Sequence, residues 1–337
     1  MKKIPDVLSM LHVRCLIAGC CALLLALCSP AQGQQPQKVS KIGYAALIGT
    51  AASDPSFAAL RNGLRDLGYS EGKNIHFEYR SARGRPEVMP GLIDELLKER
   101  VDLIFCPNLP AIAAAKKATR SIPIVIVSNV DPVDLGIVDS LARPGGNITG
   151  LTLQSLELSG KRLELLKEIF PKLRRVGLVW NSGDQSMTLI SKQVESLAPP
   201  LGMSLQPFAV REPGDFGGIF EKIAQNPPDA IFSIADRLVT SQQERIADFA
   251  LKSKIPIMFD SVAAVESGAL LSYGPNRIEV SNRAAAYVDK ILKGMKPGDV
   301  PIEQPTKFEL VINLKTAQQI GLTIPPSVLY RADRVIR

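Results

Sequence analysis

The chain has 337 residues, 46% of them hydrophobic, with 40 lysines and arginines against 33 acids for a formal net charge of +7. That much apolar sequence can bury a core of about two ordinary domains. The basic residues are interspersed with acids and no basic run is interleaved with aromatics, so the charge gives nucleic-acid binding no support.

The chain opens on what reads as a targeting signal. Lys2, Lys3 and Arg14 form a positive lead, Cys15 to Cys28 is an uncharged apolar run, and Ala31-Gln32-Gly33 offers small residues for cleavage. A signal peptide is expected over 1–33, with the mature chain starting near Gln34. The apolar run is short of the roughly 18 to 20 residues that a membrane span needs. Ile17-Ala18-Gly19-Cys20 resembles a lipoprotein box but precedes most of the apolar run, and Cys28 follows Leu27 where a small residue is required. A soluble exported protein, periplasmic in a two-membrane bacterium, is therefore expected. Four of the five cysteines lie in the leader, leaving Cys106 alone and no internal disulfide. Lys2, Lys3 and Arg14 against Asp6 leave +5 of the +7 on the rest.

Four strand-helix units follow. Val39 to Leu47 is a buried-type strand, and Ser53-Asp54-Pro55 supplies an N-cap with proline at the first helical position. Phe57, Leu60, Leu64 and Leu67 keep helical spacing up to Gly68. Asn74 to Arg80 predicts the second strand, Val88 to Arg100 the second helix, Val101 to Cys106 the third strand, Ala111 to Thr119 a third helix and Ile122 to Val127 the fourth strand. Continuous apolar strands separated by helices imply a parallel sheet covered on both faces.

RPGGNITG, Arg143 to Gly150, then marks a change of direction, with Pro144 fixing one backbone angle and Gly145 and Gly146 permitting positive φ. Asn147 to Leu153 reads as a hinge strand between two halves. After it the plan repeats. Ser159 is expected to cap a helix, Arg175 to Trp180 is a strand, Met187, Ile190, Val194 and Leu197 share a helix face, Leu205 to Val210 is a strand, and Asp215 is expected to cap the next helix. VDLIFC (101–106) is echoed by PDAIFS (228–233), and SIPIVI (121–126) by KIPIMF (254–259). Ser241-Gln242-Gln243-Glu244 has the form of a capping box.

Gly268 to Tyr273 is a strand followed by Gly274-Pro275, a second crossing. Val280, Ala284, Tyr287, Val288 and Ile291 form a long amphipathic helix. The prolines of 297–305 exclude a central strand and mark a third linker. Phe308 to Ile312 returns as a strand, and Asn313 can cap a short helix that Gly321 and Pro325-Pro326 end. The expected organisation is α/β: two Rossmann-like lobes, each a parallel sheet flanked by helices, with 34–147 plus 275–303 in the first and 148–274 plus 304–337 in the second.

RPGGNITGL, the two IPI strands, GALLSYG and the closing run PIEQPTKFELVINLKTAQQIGLTIPPSVLYRAD resemble the extracytoplasmic substrate-binding proteins of ABC importers, of the type associated with tryptophan or tyrosine uptake. The resemblance covers the whole mature chain. It implies a type I periplasmic-binding fold with three hinge crossings, a small polar or amino-acid-like ligand held between the lobes, a permease with its ATPase at the inner membrane as partners, a monomer, and no cofactor.

Physics points to the same place for a site, because open parallel sheets bind ligands beyond the carboxyl ends of their strands, beside helix N-termini. At those ends stand Ser53, Asp54, Asn108, Ser128, Asn129 and Asp131 in the first half, and Asn181, Ser182, Asp236 and Asp260 in the second, with Tyr273 at a crossing. Serine hydroxyls and free amides suit a carboxylate; Asp236 or Asp260 suits an ammonium. Asp236 is the leading candidate, with Arg237 beside it to orient it. Each has a plainer role too: Asp54 as a cap, Asn108 and Asn181 as turn residues, Tyr273 as hinge packing, and Cys106 as a small buried hydrophobe.

An exported enzyme is the rival class. His12 lies in the leader, so histidine chemistry would fall to His76, inside a predicted strand. There is no Gly-x-Ser-x-Gly elbow, no histidine or cysteine cluster for zinc, and no glycine-rich nucleotide loop. Acids are plentiful enough for a carboxylate-dependent hydrolase, but nothing in the sequence pairs them. A ligand sensor of the same fold would differ in what it docks.

Overall fold

The structure, a computed structural model, describes residues 39–153, 155–234 and 236–337. The expected leader, 1–33, lies outside them. The first half runs β1 (Ser40–Ala46), α1 (Pro55–Asp66), β2 (Ile75–Ser81), α2 (Met89–Lys98), β3 (Leu103–Cys106), α3 (Leu109–Ala118), β4 (Ile124–Ser128) and β5 (Ile148–Thr152). The second runs α4 (Ser155–Ile169), β6 (Arg175–Asn181), α5 (Gln185–Leu197), β7 (Ser204–Val210), α6 (Asp215–Gln225), β8 (Ala230–Ser233), α7 (Arg237–Ser241), α8 (Gln243–Lys252), β9 (Ile257–Phe259), α9 (Val262–Glu266) and β10 (Leu271–Gly274). The chain closes with α10 (Arg277–Leu292), β11 (Glu309–Asn313), α11 (Leu314–Gln319), α12 (Pro326–Arg331) and β12 (Arg334–Ile336).

These strands form two sheets, ordered β2-β1-β3-β4-β5 and β7-β6-β8-β9-β10-β11-β12. The first five positions of the second sheet repeat the order of the first, which is the duplication heard in the sequence. β1 to β5 pair in parallel, as do β6 to β10. β11 returns antiparallel to β10, and β12 runs parallel to β11. Side chains alternate across each sheet. Tyr44, Phe105 and Val125 pack against Leu60 of α1 and Ala284 and Val288 of α10, whereas Ala45, Ile104 and Ile126 pack against Ile93 of α2 and Ile112 of α3. Likewise Leu178 and Phe232 face Leu166 of α4 and Ile190 of α5, while Val179 and Ile231 face Phe216 of α6 and Ile246 of α8. Both sheets are buried on both faces, which explains their unbroken apolar strands.

The chain passes between the sheets after β5, after β10 and before β11. The first passage differs from expectation. Ile148–Thr152, read as the start of the second lobe, is the fifth strand of the first sheet, paired in register with Ile124–Ser128. Gly150 is the reason: at φ +145, a Cβ there would lie 2.1 Å from the Ile126 carbonyl oxygen and 2.6 Å from its nitrogen. Only glycine lets the strand come that close. The third passage leans on the first, with the Thr152 amide donating to the Glu303 carbonyl at 2.9 Å and the Glu303 amide to Gly150 at 3.0 Å. Glu303 is tied in turn to α10 by an ion pair with Arg283 and a 3.2 Å hydrogen bond from Tyr287.

Several local expectations are corrected. Ser159 lies inside α4, which begins a turn earlier at Ser155. Asp215 does not cap α6; its carboxylate accepts from the Arg211 and Glu212 amides at 2.7 and 3.2 Å, closing the loop before the helix. Ser241 ends α7 and donates to the Leu238 carbonyl at 2.7 Å. The capping box therefore does not form, because the helix begun at Arg237 uses that serine before α8 starts. Pro326 opens α12 where a stop was expected, a position at which proline loses no helical hydrogen bond. Asn313 does cap α11, accepting from the Thr316 amide at 3.0 Å.

Replacing Gly150 with alanine is expected to push β5 off β4 and to cost about 3 kcal/mol or more. The check is the urea midpoint of Gly150→Ala, read beside Gly218→Ala, where an added Cβ meets nothing within 4 Å.

Candidate ligand-binding site

The carboxyl ends of the two sheets meet at a seam, and the helices that follow the strands point their N-termini at it. Asp54 is the deepest acid there, with no exposed side-chain surface. It caps α1, its Oδ1 accepting from the Ser56 and Phe57 amides at 3.0 and 3.1 Å. Tyr44 of β1 and Tyr79 of β2 each donate a hydroxyl to Oδ2 at 3.2 Å. Their rings stack on each other with centroids 5.2 Å apart. Arg237 of α7 completes the set by pairing with Oδ1 from the other sheet. Burial works against the arginine's charge, but Asp54 outweighs it and holds the pKa of Arg237 above its ordinary value. Burial, then the Asp54 charge, raises the Tyr44 and Tyr79 hydroxyls, so they stay protonated donors.

Arg237 therefore does not orient Asp236, as expected; it turns away from its neighbour to meet Asp54. The stronger demand decides this, because Asp54 is wholly buried and needs a cation. Asp236 caps α7, accepting from the Val239 amide at 2.9 Å and from Nδ2 of Asn181 at 2.6 Å. Asn181 in turn accepts from the Gly183 amide at 2.8 Å. Asp184 caps α5 from the same corner, accepting from the Ser186 amide at 2.8 Å. Burial raises the pKa of Asp236, and the Asp184 charge adds to the rise against the two hydrogen bonds and Arg277, which lower it. This corner is an acidic pair set at two helix N-termini.

A second cluster is cationic, and Arg277 in it is near enough to Asp236 to act on its charge. Arg277, at the start of α10, donates to Oδ1 of Asn129 at 3.2 Å and to Oδ2 of Asp260 at 2.9 Å, linking the ends of β4 and β9. Beneath it lies Arg162 of α4, only 4% exposed, whose Nε donates to the Tyr273 carbonyl at 2.5 Å. Burial lowers the Arg162 pKa to about 10, Asp260 countering and Arg277 adding to the fall. It remains charged at neutral pH.

The remaining expected residues are spent locally. Ser53 is exposed and bonds back to the Thr50 amide at 3.0 Å. Asn108 caps α3, accepting from Ala111 at 3.0 Å and donating to the Ala45 carbonyl at 2.9 Å. Ser128 is fully buried and donates to Val130 at 2.6 Å. Asp131 closes a turn at the Val133 amide, 2.7 Å away. Ser182 donates to the Val210 carbonyl at 3.3 Å. The Tyr273 ring tilts against Phe308 at 6.0 Å rather than toward Asp236 or Asp260. His76 stands on β2 between Glu71 and Glu78, at 3.1 and 3.2 Å, far along the strand from these groups. Cys106 is buried, and burial raises its thiol pKa. Among the described residues no group of three or more His, Cys, Asp or Glu side chains is placed to hold a metal.

Five contributors had no place in the sequence reading: Arg162, Arg277, Tyr44, Tyr79 and Asp184. Asp184 carries a visible signal, a capping residue just past a strand in Asn181-Ser182-Gly183-Asp184. The arginines carry none, since Arg162 meets Tyr273 across 111 residues and Arg277 meets Asn129 across 148.

Arg237→Ala leaves Asp54 without its cation unless the seam opens to water. Truncating one partner of a buried charge pair costs on the order of 2 to 5 kcal/mol, so the ligand-free protein is expected to open, with a larger radius of gyration by small-angle X-ray scattering. An unchanged scattering profile would show that the pair does not hold the sheets together.

A family model described as ABC transporter substrate binding protein matches residues 41–336. A tyrosine-binding protein of Clostridioides difficile (strain R20291) is 26% identical over 286 residues, covering 85% of this chain and 82% of that protein. A crystal structure of a conserved domain protein from Vibrio cholerae superposes with a TM-score of 0.79 at 31% identity, over 88% of this chain and 100% of that one. An ABC domain from Streptococcus pneumoniae in complex with L-Trp gives 0.78 at 25%, over 89% and 100%. The architecture is that of type I periplasmic-binding proteins. By sequence over nearly its whole described length and by fold, the chain belongs to the ABC transporter substrate-binding protein family.

Proposed function

We propose that the protein captures an amino-acid-like, aromatic ligand at the seam between its two sheets and delivers it to a membrane permease driven by an ATPase. The observation that carries this reading is the dipolar seam: an acidic pair, Asp184 and Asp236, at one corner, and Arg162 with Arg277 at the other. A zwitterion has the matching pair of charges. The tyrosine-binding and L-Trp-bound relatives support the aromatic part. The two sheet units act as lobes that close on the ligand, with contacts made only in the closed form shifting the equilibrium toward closure. The leader over 1–33 sends the chain to the periplasm, where it works as a monomer. Among the described residues no helix is long and apolar enough to cross a membrane.

The test is thermal melting with L-tyrosine, L-tryptophan, L-leucine, arabinose and glucose, followed by titration calorimetry. At a ligand concentration 100 times the Kd, binding adds about 2.7 kcal/mol, which for a chain of this size raises the Tm by roughly 5 °C. The aromatic amino acids are expected to do so at one site per chain. A response to the sugars alone would replace the proposed ligand class.

Asp236→Asn separates binding from folding, because asparagine caps a helix as well as aspartate does. Its melting temperature is expected to stay within 2 °C or so of the parent, while the affinity for L-tyrosine falls about tenfold or more for the lost ammonium partner. Unchanged affinity by calorimetry would remove Asp236 from the site.

A further inference from the structure

Arg162 is burdened with more hydrogen-bonding capacity than its surroundings use. Its Nε meets the Tyr273 carbonyl, but neither Nη group has a hydrogen-bond partner among the described residues, and Arg162 makes no ion pair there within 4.0 Å. The acid nearest to it in charge is Asp260, whose Oδ2 is already taken by Arg277 at 2.9 Å. The other oxygen, Oδ1, is buried without a partner. Asp260 is thus the acid that both arginines lie against, and Arg277 holds the oxygen that Arg162 does not reach. Arg162 as a whole is only 4% exposed, yet its Nη atoms are not among the wholly buried unpartnered ones, so the fork keeps an open side where a ligand can meet it.

The backbone is shaped to keep the guanidinium where it is. A Cβ on Gly274 would lie 3.1 Å from the Arg162 Nη2 and 2.6 Å from the Asp260 carbonyl oxygen. The second crossing is therefore glycine at the one point where it passes the arginine. A strut for the Tyr273 carbonyl would need a single donor, which an uncharged side chain supplies at less cost. Five N–H groups and a full charge suit a different task, the bidentate reception of a planar oxyanion.

We infer that Arg162 is the anchor for a carboxylate of the ligand, its two Nη groups forming the fork and Arg277 steering from above. This rests on the reading that the seam holds the ligand, and it adds which end of the ligand goes where: carboxylate toward α4 and the second crossing, ammonium toward Asp184 and Asp236. Inorganic phosphate, an anion throughout, has no cationic end to offer Asp184 and Asp236.

The experiment compares the protein with Arg162→Met and Arg162→Lys by melting and calorimetry, using L-tyrosine against tyramine, L-tryptophan against tryptamine, and benzoate against inorganic phosphate. The unsubstituted protein is expected to bind the carboxylates at least 100-fold more tightly than the matching amines and to ignore phosphate. Arg162→Met is expected to lose at least 100-fold in affinity for L-tyrosine, and Arg162→Lys to recover part of it. Without ligand, Arg162→Met is expected to melt no lower than the parent, since it removes an unpaired buried charge. Tyramine binding as well as tyrosine, an Arg162→Met affinity within threefold of the parent, or a ligand-free Arg162→Met that melts many degrees lower would each overturn the assignment and leave Arg162 a structural support. If the aromatic amino acids and benzoate fail while L-leucine binds in an Arg162-dependent way, the aromatic reading falls and the anchor stands.

Discussion

Asp54 is a carboxylate with no exposed side-chain surface, and much of the seam is arranged around the partners that replace its water. It is held at the N-terminus of α1, whose free amides favour a negative charge. Two tyrosine hydroxyls from neighbouring strands aim at it. These are contacts within one sheet unit. The fourth partner, Arg237, comes from the other unit, so full satisfaction of the carboxylate is possible only when the sheets are together. The Arg237 pair is thus a contact between the two sheet units that the protein supplies from its own side chains.

The three passages between the sheets share a common physical problem. A chain leaving one parallel sheet for another must change direction where neighbouring backbones are already close. Gly150 lies against the backbone of β4, Gly274 lies against Asp260 and the Arg162 guanidinium, and Gly298 lies 2.9 Å, measured from an added Cβ, from the Gly146 carbonyl. In each case the missing side chain makes room for a neighbour. Glu303 then couples two of the passages, pairing by backbone with β5 and by side chain with Arg283 and Tyr287 of α10. That wiring joins the first and third passages into one hydrogen-bonded ribbon.

Most of the fold was legible in the chain because it depends on local periodicity. The apolar runs at 103–106 and 230–232, the proline-led helix at Asp54-Pro55 and the glycine pair at 145–146 each name their element without help from distant residues. Misreadings arose where two local signals competed for one residue. Ser241 looks like the start of α8 and is the end of α7; Ile148–Thr152 has the composition of a strand but says nothing about which sheet it joins. The candidate site was less legible. Its backbone positions follow from the rule that parallel sheets bind at their carboxyl ends, which names Asp54, Asn129, Asn181, Asp236 and Asp260 as candidates. Ser128 and Asn108 meet the same rule, yet their polar groups are consumed by their own turns, which only coordinates reveal.

The sequence alone determined the class of fold, its duplication and the small set of strand ends at which chemistry could gather, because each of these rests on spacing along the chain. Tertiary structure decided the partners: that Arg237 answers Asp54 and not Asp236, that Arg277 ties Asn129 to Asp260, and that Arg162 ends beneath the second crossing with its fork unfilled. Charge pairing is set by distance in space and by how much water each group has lost. Neither quantity is carried by residues more than a hundred positions apart until the chain has folded and brought them into contact.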